Sequence, residues 1–133
     1  MLKKKRVLFL VPYPLHRAPS QRFRVELFFP LLEQHGVIYS VRPFMDEATW
    51  DVLYKSGSPM QKVLGVIKGF IKRVKDVVII VPRYDYVFIH REASPIGPPV
   101  FEFIISKILR KKIIYDFDDA IWIPNTSAEN KLV

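Results

Sequence analysis

The sequence predicts an α/β protein, with a Rossmann-like parallel sheet that carries helices on both faces. Short, strongly apolar segments alternate with segments in which apolar residues recur every three or four positions. The 133 residues correspond to one domain of ordinary size. Hydrophobic residues make up 50% and charged residues 26%, a globular composition that excludes a disordered tail.

Four segments have the composition of buried strands, being apolar and rich in β-branched or aromatic residues. They are Arg6–Val11, Val37–Val41, Tyr84–His90 and Lys111–Tyr115. The first follows a basic run, as in a leader peptide, but its apolar part is too short for one and is closed by Pro12. Strands that alternate with helices indicate βαβ units, so we expect a parallel sheet with the order 3-2-1-4 or a close variant.

Helices are predicted between these strands. Ser20 is expected to cap a helix that ends at Gly36, and Pro30 should kink or divide it. Asp46 is expected to cap a short helix over Glu47–Lys55. After the third strand, a further helix should cover about 100–110.

A longer helix begins near Met60 and has an apolar stripe. The stripe consists of Val63, Leu64, Ile67, Phe70, Ile71, Val74, Val77 and Val78. It is interpreted either as the core face of a helix with a solvated basic side, or as the apolar face of a helix that lies on anionic lipid. The stretch Val63–Val81 also holds five charged residues, which exclude a membrane span, so a soluble or peripheral protein is expected.

Charge and cysteine content limit the classes of function. With 21 basic and 13 acidic residues, the net charge is +8, which attracts phosphates, nucleic acid or an anionic membrane. Nucleic acid is disfavoured, because aromatic residues such as Phe9 and Phe88 lie on apolar faces, where they form core rather than stacking platforms. The absence of cysteine excludes disulfides, zinc–thiolate sites and a thiol nucleophile, and suits a reducing cytosol.

Polar residues follow the carboxyl ends of three predicted strands, which is where open parallel sheets bind ligands. The first group is His16, Arg17, Ser20, Arg22 and Arg24. Guanidinium groups beside a helix start bind phosphate or carboxylate, and otherwise are solvated charges on a capped helix. The loop has no glycine, so it is neither a Walker A loop nor a dinucleotide fingerprint.

The other two groups contain His90, Arg91 and Glu92, and then the carboxylates Asp116, Asp118 and Asp119. The histidine is either a base or hydroxyl-orienting group, or is satisfied by backbone groups. Three carboxylates within four positions repel one another unless they are paired with arginines, solvated or bound to metal. No convincing fourth metal ligand is present, so no metal is predicted, and pairing or proton handling remain open.

Four motifs in order resemble the N-terminal half of a GT-B glycosyltransferase, as in the family 4 retaining enzymes. They are KRVLFLVPYP at Lys5–Pro14, PSQRFRVE at Pro19–Glu26, YDYVFIHREASP at Tyr84–Pro95 and KIIYDFDDAIW at Lys112–Trp122. In that family two Rossmann-like domains face each other across a cleft, and the first mainly binds the acceptor. Here residues 1–133 would be that single domain, a fragment that lacks the nucleotide-sugar domain and is inactive alone.

The resemblance also implies a site and partners. Asp118 occupies the place where the family often presents a histidine near the reacting sugar, and is the candidate catalytic residue. The implied substrate-binding residues are Arg17, Ser20, Arg22, Arg24, His90, Arg91, Glu92, Asp116 and Asp119. The implied partners are a nucleotide-sugar, a glycan or lipid-linked acceptor and an anionic membrane surface, with no cofactor besides the donor. A cytoplasmic protein, peripheral at the inner membrane face, is expected. The alternatives are a stand-alone flavodoxin-like anion-binding module and a peripheral membrane-binding module.

Overall fold

The computed structural model describes residues 3–118, whose four strands form one parallel sheet. The strands are β1 (Arg6–Val11), β2 (Ile38–Pro43), β3 (Tyr86–His90) and β4 (Lys112–Asp116). The α/β prediction with a parallel sheet is confirmed.

The strand order is β2-β1-β3-β4, whereas the prediction was 3-2-1-4 or a close variant. The difference is the position of the third strand. The third strand lies beside β1, so that Phe9 has Val41 of β2 on one side and Phe88 of β3 on the other. The burial of the strands agrees with this arrangement. No residue of β2 is fully buried, whereas β3 has three buried residues, so β2 suits an edge and β3 the interior.

Helices and helical turns connect the strands. The helices are α1 (Pro19–Arg24), α2 (Phe29–Gln34), α3 (Glu47–Leu53), α4 (Pro59–Lys75) and α5 (Val100–Phe103). A 3₁₀ turn, Glu26–Phe28, joins α1 to α2. The helix α4 continues through a wider π-helical turn, Asp76–Ile80, and a 3₁₀ turn, Val81–Arg83, and α5 continues through a π-helical turn, Ile104–Ile108.

Proline determines how the first predicted helix is divided. Pro30 lies in the first turn of α2, so the predicted division there is confirmed. The predicted cap at Ser20 is wrong: the cap residue of α1 is Ala18, and Ser20 lies inside the first turn. Pro19 has the backbone angle that a first helical position needs, so the helix begins there. The cap at Asp46 is confirmed, because its carboxylate accepts the Thr49 N–H at 2.8 Å.

Two apolar cores cover the two faces of the sheet. Alternate residues of β1 point to opposite faces, so Leu8 and Leu10 enter one core while Phe9 and Val11 enter the other. The first core packs against the chain that follows α4 and against α5. Its other buried members are Val77, Val81, Val87, Ile89, Ala93, Phe101 and Ile105. In the second core, Val25, Phe29 and Leu32 pack against a cluster that includes the rings of Phe9, Tyr39 and Phe88. Helical segments therefore lie on both faces of the sheet.

The core-facing side of α4 is not the predicted apolar stripe. Most of the stripe is exposed to solvent, and only Phe70 and Val77 reach the first core. The buried positions Gly69, Arg73 and Asp76 follow one another on a different face of the helix and its continuation. Glycine permits this packing, because a side chain at Gly69 would overlap the ring of Phe44.

Replacing Gly69 by alanine should therefore destabilise the protein. Overpacking against Phe44 costs about 1–3 kcal/mol, and the better helix propensity of alanine returns about 1 kcal/mol. We expect a net loss of up to about 2 kcal/mol in urea unfolding. The exposed Gln61→Ala variant on the same helix is the control, with a change within about 0.5 kcal/mol. A Gly69→Ala variant more stable than the native chain would contradict this packing.

Candidate functional site

A hydrogen-bonded series lies at the carboxyl edge of the sheet. His90 ends β3, is fully buried, and lies opposite Asp116 at the end of β4. Its Nδ1 is 2.9 Å from Asp116 Oδ2, and its Nε2 is 3.3 Å from Ser20 Oγ on α1. Two strand ends and one helix thus bring a serine, a histidine and an aspartate into one series, here called the Ser20–His90–Asp116 series.

The carboxylate determines how this series is protonated. Ionised Asp116 can only accept hydrogen bonds, so a neutral His90 carries its proton on Nδ1. Its Nε2 is then an acceptor, and the Ser20 hydroxyl donates to it. A hydroxyl held in this way keeps its lone pairs for another donor, and the imidazole can take up a proton.

Arg24 stabilises the ionised carboxylate of Asp116. Its Nε lies 3.0 Å from Oδ2 and its Nη2 lies 2.5 Å from Oδ1, a two-point contact. The hydrogen bonds from Arg24 lower the pKa of Asp116, the burial of the carboxyl opposes them, and His90 adds to the lowering. Asp116 is therefore ionised at neutral pH.

Replacing Arg24 by glutamine should raise the pKa of Asp116 toward its usual value. The native pair contributes stability above the pKa of the unfolded carboxyl, and this contribution is lost as the pH falls through the lowered pKa. The variant should accordingly be less stable than the native chain at pH 7, with the difference disappearing in acid. NMR titration of the carboxyl carbon measures the pKa of Asp116, and urea unfolding at pH 7 and in acid measures the stability.

Arg22→Gln is the matched control for this prediction. The Arg22 side chain is exposed and makes no hydrogen bond or ion pair with the described residues 3–118, so its loss should leave the pKa of Asp116 unchanged. An equal effect of both substitutions would mean that the general positive field, and not the contact with Arg24, controls the carboxyl.

The residue that follows β3 has a strained backbone. Arg91 has φ 64°, in the left-handed region that residues with a side chain seldom adopt. Two contacts from β4 hold it there: its N–H donates to Asp116 O at 2.7 Å, and the Tyr115 hydroxyl donates to its carbonyl. Its Nη1 lies 3.7 Å from Asp118 Oδ1. Strain of this kind persists where neighbours fix it, and such positions are frequent at functional sites.

A cavity of about 600 Å³ lies beside Arg91, between the loop that follows β3 and α5. Its lining includes Glu92, Glu102 and Tyr115. Burial raises the pKa of Glu92; Arg91 opposes this shift and Glu102 adds to it. Burial also raises the pKa of Tyr115 to about 12. The cavity therefore presents a carboxyl that retains its proton to a higher pH than usual.

The remaining predicted site residues lie apart from the series or outside the described residues. Arg17 contacts α3, where its Nη2 lies 2.7 Å from Glu47 Oε2, and it does not join Ser20. Arg22 lies on α1 between Ser20 and Arg24, but its side chain is exposed to solvent. Asp119 lies outside the described residues. The structure thus brings together Ser20, Arg24, His90 and Asp116, with the Arg91–Asp118 pair next to them.

Arg73 is a positioning residue that the sequence analysis missed. Its fully buried guanidinium donates to three backbone carbonyls: Ala93 at 2.7 Å, and Arg42 and Val11 at 3.1 Å each. Burial lowers the pKa of Arg73 to about 10, while Asp76, 3.7 Å away, opposes the shift. These carbonyls belong to β1, β2 and the loop after β3, so one side chain ties together three chain segments at the edge that carries the site.

A second missed group holds the loop after β1. The buried Gln21 side chain accepts the Tyr13 N–H at 3.1 Å and donates to the Tyr13 carbonyl at 3.0 Å and to Glu26 at 3.1 Å. Glu26 in turn accepts the N–H of His16, whose φ is 68°. A glutamine between Ser20 and Arg22 gave no signal in the sequence, because its role depends on a loop that folds back over it.

Among residues 3–118, no group of three or more histidine, aspartate or glutamate side chains is placed to hold a metal ion. The site of the described chain is therefore built from arginines, one buried histidine, one serine and paired carboxylates. Comparisons of the chain with family models, with curated proteins and with solved structures found no match.

Proposed function

We propose that this chain is the acceptor-binding N-terminal domain of a glycosyltransferase that moves a sugar from a nucleotide-sugar to a glycan or lipid-linked acceptor. One observation carries the proposal. Ser20 and Arg24, His90, and Asp116 belong to three of the four motifs that resemble family 4 enzymes, and they form one hydrogen-bonded series. The series lies at the sheet edge where ligands of parallel sheets bind.

The chemistry of sugar transfer suits these side chains. The donor leaves as a diphosphate, whose negative charge is stabilised by guanidinium groups, and Arg22 is exposed for that contact. The acceptor hydroxyl needs a hydrogen-bonding partner that fixes its orientation, and Ser20 Oγ, held by His90, is such a partner. Asp118, whose side chain is 22% exposed, would stabilise positive charge that develops at the sugar ring.

The test uses the product of the full reading frame, since the resemblance implies a donor-binding domain beyond residue 133. We expect it to turn over one of a panel of uridine, guanosine and thymidine diphosphate sugars, and we expect Ser20→Ala to reduce turnover without loss of folding. A full-length product that turns over none of the panel would overturn the proposal. Tight binding of free phosphate by the 133-residue chain, with no such turnover, would favour the anion-binding alternative.

A second candidate function, docking on an anionic membrane, is favoured by the exposed side of α4. This apolar face consists of Met60, Val63, Leu64, Ile67, Ile71, Val74 and Val78, which are all exposed. Lysines flank it: Lys62 and Lys75 lie near its two ends, Lys68 pairs with Asp46, and Lys72 donates to the Pro43 carbonyl at 2.6 Å. In the described part of the chain, no helix is long and apolar enough to span a membrane.

Vesicle binding should accordingly depend on both charge and apolar residues. We expect the chain to bind phosphatidylglycerol-containing vesicles and not pure phosphatidylcholine vesicles, and we expect binding to weaken as salt rises. Ile67→Gln together with Ile71→Gln should abolish binding, while Phe103→Gln, an equally exposed apolar position on α5, should not. Equal recovery from both vesicle types would contradict the electrostatic part. A dimer that is lost in the double variant would assign this face to self-association.

A further inference from the structure

Three aromatic rings lie in a row that starts at the carboxyl edge of the sheet. Tyr13 follows β1, and its ring centroid is 5.2 Å from that of Trp50 on α3, with the planes at 70°. The Trp50 centroid is in turn 4.6 Å from that of Tyr54, with the planes at 52°. Tyr54 is 69% exposed, so the row ends on an open aromatic surface. We call these residues the aromatic row.

A pocket of about 330 Å³ lies on the outer part of the row. Its lining combines the rings of Trp50 and Tyr54 with the charged side chains of Asp51 and Lys55. The volume is that of a small-molecule site, and the mixture of apolar surface with a few polar groups is typical of one. Asp51 offers acceptors and Lys55 offers donors, so the pocket can accept a hydrogen bond from a ligand hydroxyl group and can also donate one to it.

The row leads toward the site already described. Tyr13 lies two residues after the end of β1, and β1 runs beside β3 with Leu10 opposite Ile89, so Tyr13 follows the strand end next to that of His90. Burial raises the pKa of Tyr13, and the charge of Arg91 opposes this shift. The backbone of Tyr13 is fixed by two hydrogen bonds with the buried Gln21 side chain. A ligand with repeating units could therefore lie along the row with one end near the Arg91–Asp118 pair.

We propose that the aromatic row binds the sugar units of a neutral oligosaccharide. This inference rests on the proposed function, because it makes the row an outer subsite for a glycan acceptor. The ring faces carry partial negative charge, and one face of a pyranose presents weakly positive C–H groups that pack on them. Hydroxyl groups around the sugar edge then reach the carboxylate and the ammonium group in the pocket.

The charges of the pocket argue against other occupants. One acid and one base line it, and Arg17 nearby is already paired with Glu47, so a phosphate would meet no excess of positive charge despite the net +8 of the chain. A purely apolar segment would remove Lys55 and Asp51 from water, and Asp51 would keep only the 3.9 Å ion pair of its Oδ1 with Arg17 Nη2, which is unfavourable. A neutral, polyhydroxylated ligand satisfies both kinds of surface.

The test measures saccharide binding by the 133-residue chain directly. The probes are the hexasaccharides of α-glucose, β-glucose, mannose and N-acetylglucosamine, added at millimolar concentrations. The chain has two tryptophans, so two indole N–H signals are expected in NMR spectra, and Trp50→Phe identifies that of Trp50. We expect at least one probe to shift that signal, and Tyr54→Ala to weaken this binding about tenfold.

Phe103→Ala is the control, because Phe103 is also an exposed aromatic residue but lies on α5. It should bind the probe as the native chain does. The proposal is overturned if no probe shifts the Trp50 signal, if Tyr54→Ala binds as tightly as the native chain, or if uridine monophosphate occupies the pocket instead. Transferase activity of the full-length product without saccharide binding at the row would overturn this inference and retain the proposed function. Binding at the row without transferase activity would overturn the proposed function and retain the assignment of the row as an oligosaccharide site.

Discussion

Replacing Arg73 by methionine should destabilise the protein by about 3–5 kcal/mol, the range for breaking a buried charged pair. The substitution removes hydrogen bonds to the carbonyls of Val11, Arg42 and Ala93. Of the two ion pairs that Asp76 forms within residues 3–118, it leaves only the one with Arg42. Methionine fills much of the same volume, so loss of packing against Phe44 contributes little. Urea unfolding followed by circular dichroism measures the change.

Two further variants separate the charge from the shape of the side chain. Lys75→Met, which removes an exposed positive charge two residues later on the same helix, should change stability by no more than about 0.5 kcal/mol. Arg73→Met combined with Asp76→Asn should be less destabilising than Arg73→Met alone, because it removes a buried carboxylate that has lost one of its two ion-pair partners. A loss of under about 1 kcal/mol in Arg73→Met would show that the three carbonyls find other donors.

The effect of Arg73→Met should also reach the candidate site. The Ala93 carbonyl lies three residues after His90, and the Val11 carbonyl lies two residues before Tyr13. Removing the shared donor frees both loops at the carboxyl edge. In conditions where the variant is still folded, the Trp50 and His90 NMR signals should therefore shift more than signals from α5.

The strands could be predicted from the sequence because each contains a short run of aliphatic, β-branched or aromatic residues, which strands favour, even though β2 and β4 are only partly buried. The strand order could not. It depends on how much of β2 and β3 becomes buried, and their apolar content alone did not reveal that difference.

The sequence left open whether the apolar stripe of α4 faces the core, and the interpretation as a core face is wrong. An apolar stripe normally faces the core, but here Gly65 and Gly69 allow Thr49 and Phe44 to approach a different side. An added Cβ at Gly65 would lie 2.5 Å from Thr49 Cγ2. Two glycines four residues apart, followed after four more by Arg73, are the pattern that indicates this close packing.

The location of the site was predicted better than its contacts. Strand-end polarity pointed to His90 and Asp116, because parallel strands present their carboxyl ends at one edge. The register that places these two residues opposite each other, and the helix position that brings Ser20 to the histidine, depend on tertiary packing. Trp50 carried no signal, since its partner Tyr13 is 37 residues away in the sequence and lies in a loop.

Asp118→Asn in the full-length product should reduce turnover of the nucleotide-sugar about a hundredfold or more and leave thermal stability unchanged. The asparagine keeps the size and much of the hydrogen bonding of the carboxylate but removes its charge. Among the described residues, Asp118 forms an ion pair with Arg91, with 3.7 Å between Oδ1 and Nη1, a distance too long for a hydrogen bond, and its charge also raises the pKa of Arg24. The charge of Asp118 therefore contributes little to the stability of the fold.

Asp116→Asn is the contrasting variant, because its carboxylate is fully engaged. Asp116 is held by Arg24 and His90 at hydrogen-bonding distances, so its asparagine variant should lose stability at neutral pH. The proposed roles therefore predict different outcomes. Asp118→Asn lowers turnover alone, whereas Asp116→Asn also lowers the unfolding temperature. Loss of folding in Asp118→Asn without a separable kinetic defect would place Asp118 in the structural network, since a carboxylate that acts only on a developing charge at the sugar has no effect on the unliganded fold.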